Sequence, residues 1–317
     1  LIEGFRDDTK SYFRFYRNIY PCTERGVDIP IGTARVIFAW SDELPSNEQS
    51  IPMHDGRDCG SKAVNLLLGE TTDYDLPDQD IDTFELLFQN YSVPANDTTY
   101  FCELMAFPDF DTIHHMIRID PIITPGNEGI VHHITLTACP QEYVNPEDVG
   151  LTELCDEWAN MPSDASWCRN GAIFAAWAVG GGDFYFPEHV GYEFGGDTPD
   201  ALKYAIVEVH YDNPKEETGF VDSSGFEIYY TPNLREHSAE MLTIGTSTAP
   251  TGIFVPPHVP GVVANGFCMG ECTSDGIPED GIHAFGNLLH LHVLGTALKL
   301  RHIRDGKELI PIDRNDN

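Results

Sequence analysis

The sequence is short of basic residues and contains no long apolar run. Lysine and arginine together number 18, against 51 aspartates and glutamates, which gives a formal net charge of -33. Such a surface repels nucleic acids and anionic lipids, and it attracts cations, including amines. No run of about 18 apolar residues is present, so the sequence predicts neither a membrane span nor a nucleic-acid partner.

The short motifs of several other protein classes are also missing. No GxSxG, P-loop, HExxH or dinucleotide-binding pattern occurs. None of the eight cysteines forms a CxxC pair, which argues against a zinc ribbon or a thioredoxin-like site. Two sequons, at Asn90 and Asn96, are predicted glycosylation sites. Together with the cysteines they favour a secretory compartment, either a vesicle lumen or the extracellular space.

Short β-rich segments dominate the chain. They alternate apolar and polar residues or are rich in β-branched and aromatic ones, and 28 glycines and 22 prolines separate them. The segments are residues 34–40, 113–119, 131–136, 204–211, 226–230 and 288–294. Many short strands with frequent turns are typical of β-sandwiches, so the sequence predicts an all-β fold.

Five of the thirteen histidines lie in β-rich segments at spacings that suit metal binding. On a strand, His290 and His292 face the same side and present two imidazoles to one ion. His132 and His133 are adjacent, so they share an ion only if the strand bends or the rings use different nitrogens. His210 ends an apolar segment and is a candidate third ligand. Three imidazoles suit zinc or copper, and the pattern alone does not choose between them.

A second adjacent pair, His114 and His115, looks equivalent to the pair at 132 and 133. It too lies within a β-rich segment, and spacing alone does not rank the two pairs. A histidine pair on a strand can also be purely structural, held in the core by hydrogen bonds.

Several longer stretches carry a family resemblance. They are "TPGNEGIVHHITLTAC", "WCRNGAIFAAWAVGGGDFYFPEHVGYEFGG", "VEVHYDNP", "DSSGFEIYYTPNLR", "GIHAFGNLLHLHVLG" and "IRDGKELIPIDRNDN". In this order they resemble the copper type II, ascorbate-dependent monooxygenases over residues 84–317. The stretch "MHDGRDCGSKAVNLL" is similar to the close of the DOMON domain that precedes the catalytic core in this family.

The resemblance implies two tandem β-sandwich copper domains, jelly-roll-like, after the end of a DOMON sandwich. The expected boundaries are 1–70 for the DOMON part, 71–83 for an acidic linker, 84–215 for the first copper domain and 216–317 for an incomplete second one. By resemblance, the electron-transfer copper is held by His132, His133 and His210. The catalytic copper is held by His290 and His292, with a methionine ligand expected beyond Asn317.

The family pattern also implies disulfides between Cys102 and Cys155 and between Cys139 and Cys168. Three further cysteines, Cys22, Cys268 and Cys272, are expected to pair with cysteines beyond the end of the chain. No family partner is evident for Cys59, and a Cys22–Cys59 bridge is the alternative.

The implied reaction uses ascorbate as reductant and O₂ to hydroxylate an activated C–H bond of a small molecule. Peptide-amidating members carry an arginine where this chain has Leu288, which favours an aromatic amine over a peptide. Thr243 stands where the amine hydroxylases carry a glutamate, which weakens that choice. The alternatives are a peptidylglycine-type hydroxylase, a non-catalytic copper-binding homologue and a zinc hydrolase using the same histidines. Family members often form dimers, so a homodimer is one expected assembly.

Overall fold

The structure is a computed structural model that describes residues 3–6, 11–20, 29, 33–39, 59–65, 80–160, 163–246, 253–291 and 295–315. Strands are the main regular elements of this part of the chain, which confirms the predicted all-β class. The N-terminal strands are β1 (Glu3–Arg6), β2 (Ser11–Arg14), β3 (Thr33–Ala39) and β4 (Cys59–Asn65). They form two antiparallel pairs, β1 with β2 and β3 with β4.

The assignment of residues 1–70 to a DOMON domain stays a prediction. Cys22 lies outside the described residues, as does most of the predicted acidic linker.

A two-sheet sandwich occupies the centre of the chain. The strands of this region are β5 (Asp82–Leu87), β6 (Tyr91–Ser92), β7 (Thr98–Ala106), β8 (Ile113–Ile122), β9 (Val131–Cys139), β10 (Thr152–Leu154), β11 (Ile173–Ala178), β12 (Phe184–Tyr185), β13 (Val190–Gly195), β14 (Tyr204–Asp212), β15 (Val221–Asp222), β16 (Gly225–Thr231) and β17 (His237–Ala239). Of these, β6 and β15 form a separate antiparallel pair, and the others make up the two sheets. One sheet has the order β10-β7-β14-β9-β11. The other has the order β17-β13-β8-β16-β5, with β12 also paired to β8.

The alternation of side chains along β14 shows how the sandwich is built. Ala205, Val207 and Val209 face inward and join the core between the sheets. The residues between them face outward, because successive side chains of a strand point to opposite sides. Of these, Ile206 belongs to a second, smaller core that covers the outside of the five-stranded sheet.

The two predicted disulfides form the centre of this smaller core. Cys102 of β7 is bonded to Cys155, and Cys139 of β9 is bonded to Cys168. Both bonds tie short 3₁₀ helices and loops to the outer face of the sheet, and the pairing implied by the resemblance is confirmed. The 3₁₀ helices are Gln141–Tyr143, Pro146–Asp148, Trp158–Asn160 and Asp164–Asn170.

The central sandwich continues past the predicted boundary at residue 215. Strand β16 is hydrogen-bonded between β5 and β8, and β17 runs parallel to β13. Residues predicted to belong to the next domain, 225–231 and 237–239, therefore complete the second sheet.

The C-terminal part has less regular structure. Its elements are α1 (Gly270–Gly276), β18 (Leu298–Leu300), β19 (Ile303–Arg304), β20 (Lys307–Glu308) and β21 (Asp313–Asn315). The strand predicted over residues 288–294 is wrong for 288–291, which pair with no described strand, and 292–294 lie outside the described residues. Apolar alternation forms a strand only where a partner strand accepts its backbone hydrogen bonds. Within the part of the chain that the structure describes, no helix is long and apolar enough to cross a membrane.

Candidate metal centre

A β-bulge brings adjacent histidines to one face of the sheet. His210 of β14 lies opposite His133 of β9, but the next residue, Tyr211, lies opposite Val131. His132 is therefore an extra residue in β9, and such a residue bends its strand and redirects its side chain. Val131 and Ile134 on either side both face the inner core, which leaves both histidines on the outside.

The three rings converge through the same type of nitrogen. The Nδ1 atom of His133 lies 3.3 Å from Nδ1 of His132 and 3.3 Å from Nδ1 of His210. Three imidazole nitrogens bound tetrahedrally at about 2.0 Å from one ion would stand about 3.3 Å apart. His132 is exposed, His133 is half-buried and His210 is buried, so the cluster opens to solvent on one side. These residues fit a bound transition metal.

Strand β7 supplies an aromatic wall to the cluster. Tyr100 lies opposite His210 in register, and the two rings stack with centroids 4.1 Å apart and planes inclined by 10°. Burial raises the pKa of Tyr100, and the carboxylates of Glu208, Asp156 and Asp212 raise it further. The local potential is therefore negative, which favours a bound cation.

A buried carboxylate lies behind the cluster. Glu208 precedes His210 by two residues on β14 and is 3% exposed. Its Oε1 is 3.9 Å from Nε2 of His133, and its Oε2 is 2.5 Å from the guanidinium of Arg169. Burial alone would raise the pKa of Glu208, but His133 and Arg169 outweigh it and hold the pKa below its usual range. Glu208 is therefore ionised at neutral pH.

The C-terminal histidine pair is only partly described. The ring centroid of His290 is 5.6 Å from that of His133, so this imidazole lies beside the three-histidine cluster. His292 lies outside the described residues. The predicted sharing of one ion by these two side chains stays a prediction.

The pair at 114 and 115 lies elsewhere, on the six-stranded sheet. Nδ1–H of His114 donates to the carbonyl of Thr112 at 2.9 Å, and its ring stacks on Phe110 at 4.1 Å. His115 is 1% exposed, and its Nδ1 accepts a hydrogen bond from the backbone N–H of Arg235 at 3.0 Å. Both imidazoles are thus used for packing and hydrogen bonding within the sheet.

Three residues of the site were not singled out from the sequence: Tyr100, Glu208 and Arg169. The proximity of Glu208 to the site could have been predicted, since it precedes His210 by two residues and therefore shares its face of the strand. That of Tyr100 and Arg169 could not, because their proximity depends on strand pairing and on the Cys139–Cys168 bond.

Two models of one protein family match this chain. The N-terminal domain of the copper type II ascorbate-dependent monooxygenases matches residues 84–218, and the C-terminal domain matches residues 237–317. The chain belongs to this family. The three-histidine cluster lies within the match to the N-terminal domain, and His290 lies within the match to the C-terminal domain.

Known members of the monooxygenase family are similar along almost the whole chain. DBH-like monooxygenase protein 1 of Homo sapiens is 34% identical over 98% of this chain and 49% of its own length. Dopamine beta-hydroxylase of Bos taurus is 33% identical over 100% of this chain and 50% of its own length. The human dopamine beta-hydroxylase is 34% identical over 93% of this chain. The chain thus spans about half the length of these relatives.

Proposed function

We propose that the protein is a copper- and ascorbate-dependent monooxygenase that uses O₂ to hydroxylate an activated C–H bond of a small aromatic amine. The observation that carries this proposal is the convergence of three histidines in a member of a copper-dependent family, with Nδ1 of His133 3.3 Å from Nδ1 of both others. Neutral imidazoles are ligands of both oxidation states of copper, whereas zinc has no redox chemistry. A zinc hydrolase is the weaker alternative for this reason.

The residues of the three-histidine site have separate proposed roles in holding an electron-transfer ion. His132, His133 and His210 would bind copper through Nδ1, and copper there would take up and release single electrons. Tyr100 stacks on His210 and limits the movement of that ring. The exposed side of His132 leaves a path for ascorbate, a polar reductant in solution.

His290 and His292 are proposed as the ligands of the second, oxygen-activating copper and as the catalytic residues. The position of His290 beside His133 supports a short distance between the two sites. None of these roles needs a residue from the six-stranded sheet.

An amine substrate is supported by charge and by one substitution. The net charge of -33 attracts cationic molecules, and two of the similar proteins are named dopamine beta-hydroxylase. Leu288 is exposed and carries no charge to bind a peptide carboxylate. Thr243 is also exposed, and it offers a hydroxyl rather than the carboxylate expected for amine recognition.

The test is an activity assay on the full-length protein with ascorbate, copper and three substrates: dopamine, tyramine and a glycine-extended peptide. We expect oxygen consumption coupled to hydroxylation of an amine. A matched His133→Ala variant should lose this coupling. Hydroxylation of the peptide alone would replace the amine proposal with a peptidylglycine-type activity, and copper binding without turnover would favour a non-catalytic homologue.

We also propose a secretory location, with N-linked glycans at Asn90 and Asn96 and a homodimer as one assembly. Both asparagines are exposed on the loops around β6, where a glycan meets no packed surface. Secretion from a eukaryotic host followed by N-glycosidase treatment should lower the mass by two glycans. Asn90→Gln and Asn96→Gln should each remove one.

A further inference from the structure

The buried ion pair of Glu208 and Arg169 lies directly behind the three-histidine cluster. Glu208 lies on the same outward face of β14 as His210, and it is nearly inaccessible at 3% exposure. One carboxylate oxygen meets Arg169 at 2.5 Å, and the other faces Nε2 of His133 at 3.9 Å. A buried carboxylate is costly unless it is paired, so this arrangement serves a purpose beyond filling space.

Arg169 is held in place by covalent structure. It follows Cys168 in the 3₁₀ helix Asp164–Asn170, and Cys168 is bonded to Cys139 at the end of β9. Ser163 caps this helix by accepting a hydrogen bond from the backbone of Ala165. The backbone at Arg169 is therefore tethered to the strand that carries His132 and His133, and the guanidinium meets Glu208 from there.

We propose that Glu208 and Arg169 form a positioning pair for the three-histidine site: the carboxylate, 3.9 Å from Nε2 of His133, electrostatically favours the tautomer with its proton on Nε2 and with Nδ1 toward the ion, and the pair sets the reduction potential of that ion. The inference rests on the proposed copper site. Partners on the far nitrogen of a ligating histidine fix its tautomer and orientation, and they raise its basicity. Here the partner is charged, and its charge is balanced by Arg169.

Because Glu208 and Arg169 carry opposite charges, removing one or the other should shift the reduction potential in opposite directions. Removal of the negative charge at Glu208 destabilises the more positive, oxidised ion and raises the reduction potential. Removal of the positive charge at Arg169 leaves the carboxylate unbalanced, stabilises the oxidised ion and lowers the potential. A merely structural role would loosen the site in both variants and would move the potential in one direction or not at all.

The experiment uses the full-length protein with His290→Ala, so that the three-histidine site is measured alone. Three variants are compared in this background: Glu208→Gln, Arg169→Met and the double variant. Glu208→Gln keeps the shape and one acceptor oxygen. The double variant leaves no unbalanced charge, so it protects the test against misfolding of Arg169→Met. Copper content, the paramagnetic resonance spectrum of the oxidised site and its reduction potential are recorded.

We expect Glu208→Gln and Arg169→Met to change the ratio of oxidised to reduced copper affinity by about tenfold in opposite directions, which is about 59 mV each for a one-electron couple. The double variant should return toward the parent potential. A fourth variant, Arg169→Lys, keeps the positive charge and should stay close to the parent potential. Shifts of the same sign, or no shift in the single variants, would overturn the positioning pair. Absence of copper from the parent protein would instead overturn the proposed function.

Discussion

The sandwich contains two pairs of adjacent histidines, and the structure places the two pairs in different surroundings. His132 and His133 lie on β9 and point outward together, with their Nδ1 atoms 3.3 Å apart. His114 and His115 lie on β8 and make separate contacts, one with Phe110 and the other with the backbone of Arg235. Among the residues that the structure describes, only the first pair meets a third histidine.

The difference lies in the local pairing of the strands. Around His114 and His115, β8 pairs with β13 in unbroken register, so the two side chains alternate between the faces of the sheet. Gly191 of β13 lets the chain approach closely, since a Cβ there would meet the His115 ring. In β9 the extra residue at 132 interrupts this alternation. A one-residue irregularity in β9 thus separates a buried structural pair from an arrangement that could hold a metal ion.

The largest effect should come from His132 and His133, the pair proposed to bind copper. Replacing His133 with alanine removes the nitrogen that lies 3.3 Å from Nδ1 of each of the other two histidines. Copper affinity at this site should then fall by more than the factor of about 10 to 100 typical of lost outer-shell partners. Metal analysis after dialysis against a weak chelator measures the loss. His114→Phe, which keeps the stacking on Phe110, is the control and should retain copper. Equal copper loss in both variants would contradict the proposal that only the pair at 132 and 133 binds copper.

An intermediate effect is expected on the stability of the metal-free protein. Here a substitution in the pair at 114 and 115 should cost more than one in the pair at 132 and 133. His115→Ala deletes a ring that is 1% exposed and leaves the N–H of Arg235 without its acceptor. The expected loss is about 2–4 kcal/mol. His132→Ala changes an exposed side chain and should cost less than about 0.5 kcal/mol. Urea unfolding with a chelator present measures both, and a larger loss for His132→Ala would contradict the assignment.

The smallest effect concerns pH. Burial lowers the pKa of His115 from its usual 6.5, Glu193 raises it in part, and Arg235 lowers it again. Because the folded state binds this proton less tightly than the unfolded state, the metal-free protein should lose stability as pH falls below 6.5.

Asparagine at 115 keeps an acceptor for Arg235 and does not titrate. The destabilisation of His115→Asn relative to the unchanged protein should therefore be greater at pH 7.5 than at pH 5.5, by thermal unfolding at both values. A gap that widens toward acid pH would show that His115 is protonated in the folded protein.

Local pattern was enough to predict four of the long strands of the sandwich. Alternation of apolar residues between 204 and 211 predicted β14, and similar patterns predicted β8, β9 and β16. The same reasoning failed at residues 288–291, because alternation there is not matched by a described partner strand. The ion pair between Glu208 and Arg169 was not predicted either, since these residues are 39 positions apart in the sequence.

The amino-acid sequence by itself determined the all-β class, the acidic surface and the set of histidines from which a site can be built. Those properties depend on residue type and on spacing along one strand. Only the tertiary structure decided that His132 and His133 turn outward together, and that His210, Tyr100 and Glu208 meet them. The physical reason is that a bulge and its register are defined by hydrogen bonds to a neighbouring strand, and these bonds form only when distant segments pair.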